Sequence, residues 1–155
     1  RIIVMTYNRA DSLKNCLIAI GEVDTMDMRV SVEVWIDSKA TDSEDADPVT
    51  VEVADNFTKS WSKGRACVHK RDKNAYIDGQ WIDSWRPREG TKEIALILED
   101  DVDIAHQALR WLKLVHGRYD ATYNIAGYTL QMENTQFFSG KKGKRVGPKT
   151  DSVFL

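Results

Sequence analysis

The chain has 155 residues, is 42% hydrophobic and 30% charged, and carries a formal net charge of −2. That length bounds it to one ordinary domain or part of a larger protein, and the composition excludes a disordered or fibrous chain. The near-neutral balance gives no electrostatic case for nucleic acid or an anionic membrane surface, and no apolar run approaches the roughly 20 residues that span a bilayer.

The chain opens at Arg1, without Met and without a signal segment, and reads as a piece of a longer protein. Ile2-Ile3-Val4-Met5 predicts a first strand, broken by Thr6-Tyr7-Asn8-Arg9. Asn8 is placed to cap a helix whose apolar stripe is Ala10, Leu13, Leu17 and Ile20, ending at Gly21. Val30, Val32, Val34 and Ile36 alternate with Ser31, Glu33 and Trp35, the period of a strand, which stops at Asp37-Ser38. After an acidic loop, Asp47-Pro48 reads as a cap followed by proline at the first helical position. Val49, Val53, Phe57 and Trp61 supply that helix's stripe, and Gly64 closes the segment. Asn56-Phe57-Thr58 fits a glycosylation pattern but falls within this helix, where it carries no meaning.

Ala66-Cys67-Val68-His69 predicts a third strand, followed by charged Lys70 to Asn74. Ile77, Trp81 and Trp85, four apart, predict a short helix with a packed stripe, whose tryptophans could alternatively stack on a sugar; Pro87 stops it. Ile94-Ala95-Leu96-Ile97-Leu98 reads as a central parallel strand covered on both faces, and Glu99-Asp100-Asp101 follow without a spacer. A further helix carries Ala105, Ala108, Leu109, Leu112 and Val115, with Gly117 just past its end, and Tyr123 to Gln131 reads as another strand. From 139 to 155 the chain turns to glycine and lysine, the composition of a mobile basic loop, and Val153-Phe154-Leu155 reads as the start of a strand. Lys141, Lys142, Lys144 and Arg145 in that loop could close over a diphosphate or be merely solvated.

Cys16 and Cys67 lack a C-x-x-C spacing and read as inert thiols within buried elements, with a disulfide left open. His69, His106 and His116 lack zinc spacing, so a histidine-based metal site has no support in the sequence.

Alternating strands and helices predict an α/β fold: an open, mostly parallel, Rossmann-like sheet with helices on both faces. All βα loops then emerge at one edge, where the ligand of such a sheet lies, in the crevice where strand order reverses. Asn8 and Asp101 would face each other there if the first strand neighbours the one ending in acids. Three adjacent carboxylates repel one another, so a hard cation held by oxygens, Mg²⁺ or Mn²⁺, would relieve a real cost; a solvated acidic turn is the plainer alternative. No glycine-rich phosphate loop is present, which would leave the metal to hold the phosphates.

Ile2 to Arg9, Val34-Trp35-Ile36-Asp37 and Leu96-Ile97-Leu98-Glu99-Asp100-Asp101, in this order, resemble glycosyltransferases of the GT-A fold, with the family 2-like and N-acetylglucosaminyltransferase I-like enzymes nearest. The resemblance covers residues 1–131 and makes Glu99-Asp100-Asp101 a D-x-D-type motif. It implies a nucleotide-sugar-binding domain over 1–138, the nucleotide-binding half of that fold, with 139–155 leading into a truncated acceptor side. It further implies that Thr6, Tyr7, Asn8 and Arg9 line the nucleotide, that Asp37 meets the nucleobase, and that Asp101 binds Mn²⁺ or Mg²⁺ with help from Glu99 and Asp100. Independently of the resemblance, Lys70, Arg71 and Lys73 lie on the same predicted rim and could meet phosphate or form a merely solvated turn. The donor would be a nucleotide-sugar, a UDP-sugar foremost, and the acceptor a glycan, lipid or protein; no nucleic acid or membrane contact is expected from this segment. The carboxylate base that inverting members need has only Glu133 and Asp151 as candidates, outside any matching motif. A luminal, membrane-anchored parent (Golgi or endoplasmic reticulum) and a cytoplasmic one fit equally. The alternatives are a metal-dependent phosphohydrolase or nuclease, and a non-catalytic nucleotide- or protein-binding α/β module.

Overall fold

The computed structural model describes residues 1–39, 46–87 and 90–130, and the chain divides into two compact units, Arg1–His106 and Gln107–Leu155. Glu133, Asp151 and the basic segment from 139 onward lie outside the described residues.

The first unit is built on β1 (Ile2–Thr6), β2 (Val32–Ile36), β3 (Ala66–Lys70) and β4 (Leu96–Glu99). They form a four-stranded sheet in the order β3-β2-β1-β4, with every pairing parallel. The architecture is thus the expected open, parallel, Rossmann-like α/β sheet. Three helices connect the strands: α1 (Ala10–Glu22), α2 (Pro48–Ser60) and α3 (Tyr76–Ser84). Right-handed crossovers put α1 and α2 on one face, because both connections step the same way along the sheet. The β3-to-β4 connection steps back, so α3 lies on the other face, where the Ser84 hydroxyl reaches the Met5 sulfur.

Why β1 lies at the centre follows from its sequence. Ile2, Ile3, Val4, Met5 and Thr6 are all buried, so both faces of the strand are covered. At roughly 2 kcal/mol per fully buried aliphatic side chain, no other strand contributes as much. This corrects the expectation for residues 94–98: among the described residues β4 is at the sheet's edge, and Ile97 is only half-buried. A continuous apolar run does not distinguish a central strand from an edge strand with one well-covered face.

Three helices differ from their predicted form in ways that have physical causes. In α1 the buried stripe is Leu13, Cys16, Leu17 and Ile20, and the N-cap is Arg9, one residue beyond Asn8, with no side-chain capping bond. Asp47 does cap α2, accepting from the Thr50 amide at 2.9 Å and the Thr50 hydroxyl at 2.8 Å, with Pro48 in the first turn. The buried side of α2 is nevertheless Thr50 and Ala54, not Val49, which is exposed. In α3 the inversion is complete. Ile77 and Trp81 face solvent, and the buried residues are Gln80 and Ser84. The reason is what α3 covers: Gln80 Nε2 donates to the carbonyls of Thr6 (3.3 Å) and Trp35 (3.5 Å), and Gln80 Oε1 accepts from Arg71 Nε (3.2 Å). Backbone carbonyls at strand ends accept polar partners, and Gln80 adds a donor beside the Asp37 N–H that already bonds the Thr6 carbonyl (2.9 Å).

In the second unit, α4 (Ala108–Tyr119) runs through Gly117 rather than stopping before it, and its buried residues are Ala108, Leu109 and Leu112. Residues 123–130 form turns and irregular chain, not the predicted strand, and Tyr123 is fully exposed. The backbone there closes locally, from Thr122 N–H to the Tyr119 carbonyl (2.8 Å), while the Tyr128 hydroxyl donates to Asp120 (3.2 Å).

Gly64 supplies a test of how tightly the first unit closes. A Cβ built there would lie 2.2 Å from the Val30 carbonyl oxygen, whereas one at Gly21, inside α1, would meet nothing within 4 Å. Gly64→Ala should therefore lower stability by about 1–3 kcal/mol, while Gly21→Ala should be neutral or stabilise by up to about 1 kcal/mol. Urea unfolding of the two variants should give midpoint shifts of opposite sign, or a shift for Gly64→Ala alone.

Candidate functional site at the β1–β4 crevice

Parallel register brings the carboxyl ends of all four strands to one edge, with Met5 opposite both Trp35 and Glu99. Strand order reverses between β1 and β4, so the loop after Thr6 and the acids after Leu98 share the crevice where an open α/β sheet takes its ligand.

Alternation along β4 then sorts the three acids. Leu96 and Leu98 are buried and Ile97 and Glu99 are half-buried; Asp100 continues the buried phase with no exposed surface. Its carboxylate lies between two partners. The Thr6 hydroxyl donates to Oδ2 at 2.5 Å, and Arg9 Nε donates to the same oxygen at 3.3 Å. Arg9 Nη2 forms an ion pair with Oδ1, but off the line of its N–H, so Oδ1 has a charge partner without a hydrogen bond. Asp101 emerges into solvent, its side chain about half exposed, and its Oδ2 accepts from Arg9 Nη1 at 3.1 Å. Glu99 closes the turn through its carbonyl, which accepts from Val102 N–H (3.2 Å) and faces the Cys16 thiol (3.9 Å).

The cation that the acid cluster attracts is therefore, in the first instance, the guanidinium of Arg9. Partial burial works against that charge, but Asp100 and Asp101 outweigh it and hold the Arg9 pKa above its ordinary value. The opposite effect falls on Cys16. Burial first, then the negative charges of Asp100, Asp103 and Asp101, push its thiol up to about 12. Cys16 is buried, as expected, whereas Cys67, also expected in a buried element, is exposed on β3, which is at the sheet's edge among the described residues.

Thr6, Arg9, Asp100 and Asp101 are thus brought together, with Tyr7 and Asn8 exposed on the loop between them. Glu99, Asp100 and Asp101 do not converge on a common point; among the described residues the one set of three metal-ligating side chains that does is elsewhere in the sheet. Asp37, which the resemblance would put against the nucleobase, makes backbone contacts at the same edge. It is buried, and its Oδ1 accepts from the amides of Ser38 (3.0 Å) and Ala75 (2.8 Å), clasping the loop after β2 to the start of α3. Asn74 strengthens the clasp, donating to the Ser38 carbonyl at 2.5 Å and accepting from Tyr76 N–H at 2.9 Å. Lys73 is exposed on the same loop. Gln80, which is not among the expected site residues, and Arg71, which is expected on this rim, tie the rim to α3; a glutamine next to Trp81 in the helix is the available signal for the first.

No protein-family model matches the chain, and no curated protein and no solved structure matches it either.

The Cys16 environment gives a pH prediction. In the unfolded chain this thiol ionises near its ordinary 9.0, whereas in the folded protein it holds its proton to about 12. Between those values the unfolded state binds fewer protons, so stability falls as pH rises, fully retained below pH 9 and lost through about 12. Comparing the chain with Cys16→Ala in urea from pH 8 to pH 11 should show a steeper alkaline loss in the parent. Parallel pH profiles would refute the assignment.

Proposed function

We propose that the β1–β4 crevice binds the diphosphate of a nucleotide-sugar donor together with a divalent ion, as the donor-binding half of a metal-dependent glycosyltransferase. The observation that carries this reading is the meeting of Arg9 with Asp100 and Asp101 where strand order reverses. The donor set suits a hard ion: Mg²⁺ commonly takes one or two carboxylates and completes its shell with water and phosphate oxygens. Asp101, solvent-accessible and adjacent to the loop after β1, is the residue that would hold it. Asp100, enclosed and already paired, would support Asp101 and orient Arg9 without touching the ion.

A bound ion of this kind stabilises negative charge on a departing diphosphate. The chain's own residues contribute position. Thr6 and Asp100 anchor Arg9 at the mouth of the crevice, leaving its guanidinium edge close to where phosphate oxygens would enter. The base and ribose would lie over Tyr7 and Asn8, on the exposed part of the loop. The donor base, its sugar and the acceptor are matters for this proposal's tests; a UDP-sugar is the first candidate.

Two observations bear on the rival classes. A phosphohydrolase or nuclease would need further metal ligands at neighbouring strand ends, and Asp37, the nearest candidate, spends Oδ1 on two backbone amides. A metal-independent nucleotide-binding module is favoured by one feature, the neutralisation of Asp100 by Arg9 with no ion required.

Calorimetric titration of UDP and GDP, with and without Mn²⁺, separates these readings. Metal-dependent binding of one nucleotide, weakened at least about tenfold in Asp101→Ala, is the expected result. Equal affinity with and without Mn²⁺, reduced by Arg9→Ala, would instead establish the metal-independent module. Absence of nucleotide binding by the folded chain would overturn both.

A further inference from the structure

Away from the crevice, the face of the sheet that carries α3 holds a second group of polar side chains. Cys67 and His69 lie two apart on β3 and therefore project from the same face. Glu33 is the register partner of Cys67 on β2, and Trp35 is the partner of His69, so all four side chains share that face. Cys67 Sγ stands 3.4 Å from His69 Nε2, and His69 Nε2 stands 3.4 Å from Glu33 Oε2. One ligand atom from each of the three residues falls within 4.8 Å of the others.

These separations are those of ligands around a metal ion. With Zn–S near 2.3 Å and Zn–N and Zn–O near 2.0–2.1 Å, tetrahedral angles put sulfur and nitrogen about 3.5 Å apart and nitrogen and oxygen about 3.4 Å apart. The donors are a thiol, an imidazole and a carboxylate, a mixed set that suits zinc and disfavours the oxygen-seeking Mg²⁺ and Ca²⁺. The groups are also held in place. The His69 ring stacks on Trp35, with centroids 4.2 Å apart and planes 18° from parallel, and the Arg71 guanidinium lies 5.0 Å from the Trp35 ring centroid. Trp35 Nε1 donates to Glu33 Oε2 at 3.3 Å, and Arg1 Nε pairs with Oε1 at 3.3 Å. Such contacts orient a ligating carboxylate, and Oε2 retains a lone pair beyond the one facing Trp35.

We propose that Glu33, Cys67 and His69 form a zinc-binding site on this face of the sheet, toward its β3 edge, with a fourth coordination position left for water or an external donor. Binding displaces the thiol proton of Cys67 to solvent, so affinity rises with pH. The proposal does not depend on the nucleotide site, which lies at the carboxyl ends of β1 and β4.

Cobalt titration tests it, because a thiolate bound to Co²⁺ gives a near-ultraviolet charge-transfer band. The expected result is one equivalent of Co²⁺ producing that band in the native chain and in Cys16→Ala, with Zn²⁺ bleaching it. Cys67→Ser should abolish the band, His69→Ala and Glu33→Gln should each weaken Co²⁺ affinity at least about tenfold, and Asp101→Ala should leave it unchanged. Circular dichroism establishes that each variant is folded. No band in the folded native chain, or a band of undiminished affinity in His69→Ala, would overturn the site.

Discussion

A carboxylate with no exposed surface needs partners inside the protein, and Asp100 has two: the Thr6 hydroxyl and the Arg9 guanidinium. That requirement ties the end of β4 to the end of β1 across more than 90 residues of sequence. Much else follows from it. Arg9 is held against the acids at the rim, and Asp101 is left as the acid that solvent can reach. Removing one member of such a pair leaves the other buried and unpaired, which is why the three residues form one unit and not three separable contacts.

The same economy of polar groups organises the sheet's other features. At the carboxyl edge, Gln80 donates to carbonyls of β1 and β2, Arg71 holds Gln80 in place, and Asp37 serves the Ala75 amide that opens α3. The buried side of α3 is consequently polar, Gln80 and Ser84, while Ile77 and Trp81 are exposed. On the same face, toward the β3 edge, Glu33, Trp35, Cys67 and His69 contact one another, and Arg1 pairs with Glu33. Cys67 remains exposed there.

Those two cases also show what could be read from the sequence. Strand alternation in Val32–Ile36, the Asp47-Pro48 cap and the order of βα units were legible because each is a local pattern with a local cause. So was the crevice, since parallel topology forces Thr6 to Arg9 and Glu99 to Asp101 onto one edge. Ile77 and Trp81 misled because helical spacing marks a stripe without saying whether the surface it meets is apolar; α3 meets backbone carbonyls. Residues 123–130 misled because alternation makes a strand only where a neighbouring strand offers its backbone. Cys67 and His69 gave no metal signal because their third partner comes from another strand, 34 residues earlier than Cys67 in the chain, through a register that no spacing rule encodes.

Charge balance at the crevice decides what kind of ligand it can take. Glu99, Asp100 and Asp101 outnumber the single guanidinium of Arg9, leaving an excess of negative charge at the mouth. On the proposed reading, a diphosphate approaching this mouth alone would meet like charge, since Arg9 is already committed to two carboxylates. A divalent ion would change the sign of that encounter: it would compensate the excess carboxylate charge and present a positive centre to phosphate oxygens, while loosening the hold of Asp101 on Arg9. The glycine-rich loops that grip phosphate with backbone amides are absent from the sequence. On the proposed reading, the acids are therefore not themselves the recognition element for the nucleotide. They are what makes nucleotide binding conditional on the metal.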